Sequence, residues 1–275
     1  MTPWFPIEHL AGCRIEGRDA VAFCQSQFTS DVAQLGNDCW RQTAWCNRKG
    51  RVRFISLAKT DQGDVELILP RAQTALLQDL ALFTIGRKVN IQPPSTVLGS
   101  YGREEGAPIA NDEAARHLLL AGDSTPDSKP ADTNTLKRWQ LDDLRLPLPW
   151  LDEDSQDKFL PQALALEEND GLSYRKGCYP GQEIVARVHY LGRAPERLIG
   201  LRIEGDAEQD MPSLRRASGK TASGKPITIV AEAHAGATRL ALAVVPDDAK
   251  VGDRIALSGP DFSGEAEMAA PQTLC

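Results

Sequence analysis

The sequence predicts an α+β fold that ends in a small antiparallel β-barrel or sandwich. Two patterns carry that expectation. Before residue 100, apolar residues repeat at helical spacing in some segments and cluster as short strands in others. After Pro195 only short strand-like segments remain, punctuated by Gly and Pro. A chain of 275 residues can bury one large core or two to three small ones.

The elements follow in order. Residues 17–33 set Ala20, Phe23, Cys24 and Phe28 at helical spacing, with Asp19 near the start, where the helix dipole favours an anion. Val52–Ala58 and Val65–Leu69 read as a hairpin across the turn-rich stretch 60–64. Ala72, Leu76, Leu80 and Phe83 fall on one helical face, and Lys88–Gln92 is a strand ended by Pro93 and Pro94. Residues 102–111 and 122–135 are loop-like, with a strand at His117–Ala121 between them. A short helix is expected over Thr135–Leu144, capped by Thr133 or Asn134, before Pro147 and Pro149 break regular structure. The acidic stretch 151–158 has the composition of a solvated loop. Strands are then expected at Leu198–Ile203, Ile227–Ala231, Leu240–Val245 and Ile255–Leu257.

Charge and cysteine usage narrow the function. A net charge of −7, from 31 basic against 38 acidic residues, argues against direct nucleic-acid binding. The first residues lack the basic and apolar regions of a signal peptide, and no run approaches the roughly 20 apolar residues of a membrane span. A cytoplasmic protein with no membrane partner is expected. Cysteines at 13, 24, 39, 46, 178 and 275 form no Cys-x-x-Cys pair, so no resident metal is expected. Cys24 fits the apolar side of its helix.

Cys178 is different. Tyr174–Glu183 reads YRKGCYPGQE. Pro180 suits a first helical position, Gln182 and Glu183 a first turn, and Ile184, Val185 and Val188 an apolar face that Gly192 can close with a left-handed cap. Cys178 then precedes a helix N-terminus close to the cations Arg175 and Lys176, an environment that favours thiolate. Gly177 and Gly181 permit unusual backbone angles and leave room for a ligand. The alternative is a tight loop whose glycines serve the backbone and whose cysteine packs.

Lys176-Gly-Cys-Tyr-x-Gly-Gln-Glu183 resembles the signature of the YgfZ-type folate-binding, tRNA-modifying protein family, related to the aminomethyltransferase (T-protein) of glycine cleavage. Phe159–Glu167, Ile184–Arg187, Leu191-Gly192, Phe23–Val32 and Asn47–Arg51 resemble further family segments in the same order. The resemblance implies three domains in a ring around a central folate channel: 1–100, an α+β folate-binding-like domain; 101–194, an α+β domain ending in the thiol motif; and 195–275, a β-barrel. It implies tetrahydrofolate or a derivative as cofactor. Glu167 matches the glutamate that binds the donor edge of the pterin, with an ordinary exposed helix carboxylate as the alternative. The resemblance also implies Gln162, Tyr179, Gln182 and Arg187 as folate contacts, and Lys176 and Glu183 as partners of a reactive Cys178.

Six cations and no acid occupy 41–60 (Arg41, Arg48, Lys49, Arg51, Arg53, Lys59), either an anion site for the folate tail or a solvated strand face. The transferases carry an aspartate on the following strand, whereas Gly50–Ile55 here has none, which argues against ordinary aminomethyl transfer. The expected function is a folate-binding accessory protein for assembly or repair of iron–sulfur enzymes, with transient contacts to those proteins or to assembly factors. The alternatives are a folate-dependent one-carbon transferase using Glu183 or His189, and tRNA binding through 41–60 and Arg215-Arg216.

Overall fold

The computed structural model describes residues 3–102, 106–122, 126–203, 213–235, 238–260 and 262–274. Cys275 and parts of the two loop-like stretches, 103–105 and 123–125, lie outside them. The chain divides into two compact units: residues 1–131, 151–161 and 166–187, and residues 132–150, 162–165 and 188–275.

The first unit holds two antiparallel sheets. It begins with β1 (Phe5–Pro6), β2 (Leu10–Glu16), α1 (Ala20–Gln25), β3 (Arg41–Cys46), β4 (Val52–Asp61) and β5 (Asp64–Pro70). It continues with α2 (Leu76–Ala81), β6 (Asn90–Ile91), β7 (Val97–Tyr101), β8 (Ala107–Pro108) and β9 (Arg116–Leu120). The larger sheet runs β3-β4-β5-β2-β6 and the smaller β1-β7-β9-β8. The expected hairpin is present, closed by a two-residue turn with Gln62 at φ 51° and Gly63 at φ 93°, the positive angles that match strand twist.

Alternate residues Cys13, Ile15, Val65, Leu67 and Leu69 share a core with Trp45, Phe54, Phe23, Cys24, Leu77 and Leu80. Period two on the strands and period 3.6 on α1 and α2 converge there. Ala72, exposed in a 3₁₀ turn at Arg71–Gln73, and Phe83 depart from the expected helical face. α2 gives way at Leu82–Thr84 to a 3₁₀ turn, whose three-residue period swings Phe83 outward to 43% exposure.

The second unit contains α3 (Thr133–Arg145), residues 188–191 of α4 (Gln182–Leu191), and β10 (Glu196–Ile203), β11 (Ser218–Gly219), β12 (Thr228–Ala235), β13 (Thr238–Pro246), β14 (Arg254–Ser258) and β15 (Ser263–Ala269). These strands form one antiparallel sheet in the order β11-β14-β15-β10-β13-β12. β15 was not anticipated, because Gly264, Glu265 and Glu267 mask its alternation. Ile199, Leu201, Ala241, Ala243, Val245, Ile255 and Met268 build its core. The α3 cap is Asp132, one residue ahead of Thr133, its carboxylate accepting from Thr135 N at 2.8 Å. α4 starts at Gln182 and ends at Leu191, and Gly192 does not adopt the left-handed angle of a cap. Among the described residues no helix is long and apolar enough to cross a membrane.

A buried ion pair fixes the turn before β9. Asp112 accepts from Arg116 Nε at 2.8 Å and from Arg116 N at 3.1 Å, and the two side chains are 4% and 0% exposed. The same turn meets the first sheet, where Trp40 N donates to Pro108 O and Ala110 N to Trp40 O, both at 2.8 Å. Removing one partner strands a buried charge. Asp112→Ala is therefore expected to cost about 3–5 kcal/mol in denaturant unfolding, with Asp112→Asn intermediate.

Candidate functional site

The thiol loop is built on a segment that lacks regular structure of its own. α1 ends at Gln25, and the carbonyls of residues 28–30 beyond it lie outside any helix; Ser30 O accepts from Val32 N at 3.0 Å. Lys176 Nζ donates to Phe28 O at 2.5 Å and to Ser30 O at 2.8 Å. Ser173 N donates to Thr29 O at 2.9 Å, and Thr29 Oγ1 donates to Gly171 O at 2.6 Å while accepting from Ala44 N at 2.9 Å.

Lys176 is thus an inward tether, 9% exposed. Its ammonium also lies 5.4 Å from the Tyr179 ring centroid. Burial pushes the Lys176 pKa down to about 8, against the upward pull of Asp31 and Cys24. Tyr179 is likewise buried, and its hydroxyl has no hydrogen-bond partner among the described residues. Burial pushes its pKa up, with Cys46 and Tyr174 adding to the effect. With residues 176 and 179 both anchored inward, Gly177 and Cys178 between them face solvent. Cys178 alone among the described cysteines is exposed; Cys13, Cys24 and Cys46 are buried and Cys39 half-buried. Burial pushes the Cys13 thiol up to about 12 and the Cys24 and Cys46 thiols higher still.

The two motif glycines differ. Gly181 has φ +79°, and a Cβ there would lie 2.3 Å from Gly50 N and 2.6 Å from Asn47 O, both backbone. That left-handed residue delays the helix, so Pro180 stands in the preceding turn rather than at the first helical position. Gly177 has open space where its Cβ would be. The facing turn is tied by Asn47, whose Oδ1 accepts from Lys49 N at 2.8 Å and from Arg51 N at 3.1 Å.

The remaining candidates have different settings. Glu167 lies on a turn, not a helix; its half-buried carboxylate accepts from Tyr174 Oη at 2.8 Å. Gln162 is buried and belongs to the second unit. Gln182 is half-buried, and exposed Glu183 lies 3.6 Å from Arg187 across one helical turn. His189 is exposed against Tyr190. The basic stretch is largely neutralised. Arg41 pairs with Asp38 at 3.8 Å, Arg53 with Asp79 at 2.9 Å and Asp157 at 3.7 Å, and Lys59 with Glu66 at 2.9 Å. Arg51 donates to Lys158 O at 2.9 Å. Arg48 and Lys49 are exposed, with no side-chain partner among the described residues.

A cavity of about 460 Å³ opens within the first unit, lined by residues 45–48, Arg53, Phe83, Asp157 and Pro180. Of the expected thiol motif only Pro180 reaches it. Asp157, in the stretch expected to be a solvated loop, is held there: its N donates to Val52 O at 2.8 Å and its Oδ1 accepts from Asn47 Nδ2 at 2.7 Å. No local signal marks Asp157, because its partners lie over a hundred residues upstream.

A scan of protein-family models gives no match. An uncharacterised protein of Haemophilus influenzae is 30% identical over 218 residues, 72% of this chain and 73% of that protein. The tRNA-modifying protein YgfZ of Yersinia enterocolitica is 29% identical over 68% of this chain and 67% of its own length. That of Shigella dysenteriae is 26% identical over 65% of each. The crystal structure of the glycine cleavage system aminomethyltransferase T from Bartonella henselae superposes with a TM-score of 0.69, covering 98% of this chain and 86% of that one, at 14% identity. The chain has the aminomethyltransferase-like fold.

Two predictions follow from the loop. Gly181→Ala is expected to cost about 2–4 kcal/mol in unfolding free energy, from strain plus an unyielding backbone contact; Gly177→Ala should stay within about 0.5 kcal/mol. Lys176 binds its proton less tightly folded than unfolded, so its burial penalty is full below pH 8 and is relieved as pH rises from about 8 to 10.5. Relative to Lys176→Met, wild-type stability should rise across that window by on the order of 3 kcal/mol, and ¹⁵N-lysine NMR should show one ammonium titrating near pH 8 only in the wild type.

Proposed function

Because the chain belongs to the YgfZ family, we propose that it is a folate-binding accessory protein that supports iron–sulfur enzymes, and through them tRNA modification, with Cys178 as its working thiol. The observation that carries the reading is the outward sulfur of Cys178, held on a loop whose flanking Lys176 and Tyr179 are anchored inside. A single thiol falls short of the four ligands that usually hold a cluster, so any cluster is a transient cargo shared with a client or an assembly factor.

The residues present fit a pterin. Glu167 offers a half-buried carboxylate to an amino and ring N–H edge, and the buried hydroxyl of Tyr179 lacks a partner among the described residues. Gln182 and Arg187 are further contacts in this reading. Bound tetrahydrofolate supplies ring nitrogens able to carry a one-carbon unit; Glu167 would orient it. The three-domain division at residues 100 and 194, with its ring, stays part of this proposal, as does a cytoplasmic location.

A second reading, folate-dependent aminomethyl transfer, is favoured by the fold of the Bartonella henselae protein. Against it, the start of β4 carries Arg53 and Phe54, and the nearby carboxylates of Asp79 and Asp157 are paired to Arg53. Release of a one-carbon unit from reduced folate by the purified chain would establish that reading instead.

Calorimetric titration of tetrahydrofolate is expected to give saturable binding to the wild type, weakened about tenfold or more by Glu167→Ala. Cys178→Ala should fold and bind folate normally, yet fail to restore tRNA thiolation in cells lacking the protein. Full restoration would remove the thiol from the mechanism.

A further inference from the structure

Between α2 and β6 the chain carries an apolar prong. Leu82, Phe83 and Ile85 are 67%, 43% and 85% exposed. Single exposed apolar side chains are ordinary, but three within four residues form the kind of patch that meets another surface. The prong is held in shape by its own bonds. Thr84 Oγ1 donates to Ala81 O at 2.8 Å, and Arg87 N donates to Thr84 O at 2.9 Å. Ile85 at φ −54° and ψ 125°, followed by Gly86 at φ 80°, has the angles of a type II turn, which sets Ile85 at the apex.

A recess adjoins the prong. Phe83 lines the cavity of about 460 Å³ together with Trp45 and Pro180, its ring 6.2 Å from that of Trp45 at 79°. The surface therefore offers a projection and a hollow side by side. A fluid bilayer can receive a projection but brings no shaped group to fill a hollow, whereas a polypeptide can do both. Local charge selects the sign of that polypeptide. Residues 80–101 contain Arg87 and Lys88 and no acid, in a chain of net charge −7. Both cations are exposed, and neither side chain is ion-paired among the described residues. Arg87 Nη1 donates to Ser26 Oγ at 3.2 Å, while Asp19, which accepts from Lys88 N at 2.8 Å, pairs with Arg18 at 3.6 Å. An acidic partner is drawn to such a surface and a basic one repelled.

The recess also sets this surface beside the thiol. Pro180 lines it, and two residues of chain span at most about 7 Å, so the backbone of Cys178 lies within that distance of Pro180. We propose that the Leu82–Ile85 prong and the adjoining recess dock an apolar, acid-flanked segment of the iron–sulfur client and so bring that client to Cys178. The surface stands on its own geometry; only the identity of the partner rests on the reading of Cys178 as a working thiol.

The probe is a fluorescein-labelled peptide with Leu and Phe at helical spacing and Glu elsewhere, beside a counterpart with Lys in place of each Glu. Each is titrated by anisotropy into the full chain, into Leu82→Ser/Ile85→Ser and into Arg87→Gln/Lys88→Gln. All four positions are exposed, so both variants should keep the wild-type unfolding midpoint and bind tetrahydrofolate as the wild type does. Saturable binding of the acidic peptide is expected, about tenfold or more weaker in either variant and for the Lys counterpart. In cells lacking the protein, Leu82→Ser/Ile85→Ser should restore tRNA thiolation less well than the wild type. No saturable binding of the acidic peptide, equal binding of the Lys counterpart, or wild-type affinity in either variant would overturn the inference. So would binding to phosphatidylserine vesicles that the same variants lose, which makes a bilayer the occupant. Equal restoration of thiolation by the wild type and Leu82→Ser/Ile85→Ser removes the client from this surface. A wild type that binds the peptide as expected yet restores no thiolation overturns the proposed function and the client with it, and leaves the acid-selective docking surface standing.

Discussion

The bond between a lysine ammonium and two main-chain carbonyls organises this protein's most distinctive loop. Phe28 O and Ser30 O accept from Lys176, and Thr29 O between them accepts from Ser173. Three consecutive carbonyls beyond the end of α1 thereby accept from residues more than 140 positions later in the chain, although Ser30 O also accepts from Val32 N. Burying an ammonium is expensive, and two short bonds to carbonyls offset much of that cost only while the loop stays in register. The tether also dictates direction. With residues 176 and 179 drawn inward, the residues between them must face out, and one of those is Cys178.

A second constraint fixes the other end of the loop. The backbones of Gly50 and Gly181 approach so closely that neither side admits a Cβ without displacement. Gly50 belongs to the turn tied by Asn47, and the same turn carries Arg48 into the cavity lining, while Pro180 contributes from the thiol loop. Cavity and thiol loop therefore share one rigid joint. Geometry at a backbone-to-backbone joint cannot relax through rotamers, so a change on one side is felt on the other.

Much of this was legible in the sequence, for local reasons. The hairpin announced itself by short apolar runs and a Gln-Gly turn, Cys24 by helical spacing, and the thiol loop by its crowded glycines and cations. What escaped depended on long-range partners or on small departures from ideal period. Lys176 looked like a cation beside a thiol because nothing nearby reveals its acceptors, the carbonyls of Phe28 and Ser30. Asp157 looked like one more acid in an acidic stretch, yet it answers Arg53 and Asn47 on another element. Phe83 continued a helical pattern on paper, but the 3₁₀ turn after α2 rotated it from core to rim. The basic run at 41–60 dissolved into separate pairs, leaving Arg48 and Lys49 as its cations without partners among the described residues.

The exposure of Cys178 bears on which of the two folate readings the loop serves better. An enzyme acting on a small molecule gains from excluding water around its nucleophile, since electrostatic stabilisation is stronger in a closed site. Here the thiol stands beside a glycine whose missing side chain would meet nothing within 4 Å. That openness is a poor setting for aminomethyl transfer and a good one for contact with a surface as broad as another protein's. In the proposed reading, a tethered loop presenting an exposed sulfur suits exchange with a macromolecular client, which would supply the remaining ligands and the exclusion of solvent. On this argument Lys176 contributes by holding the sulfur in place, a role that an exposed lysine beside the thiol could not fill.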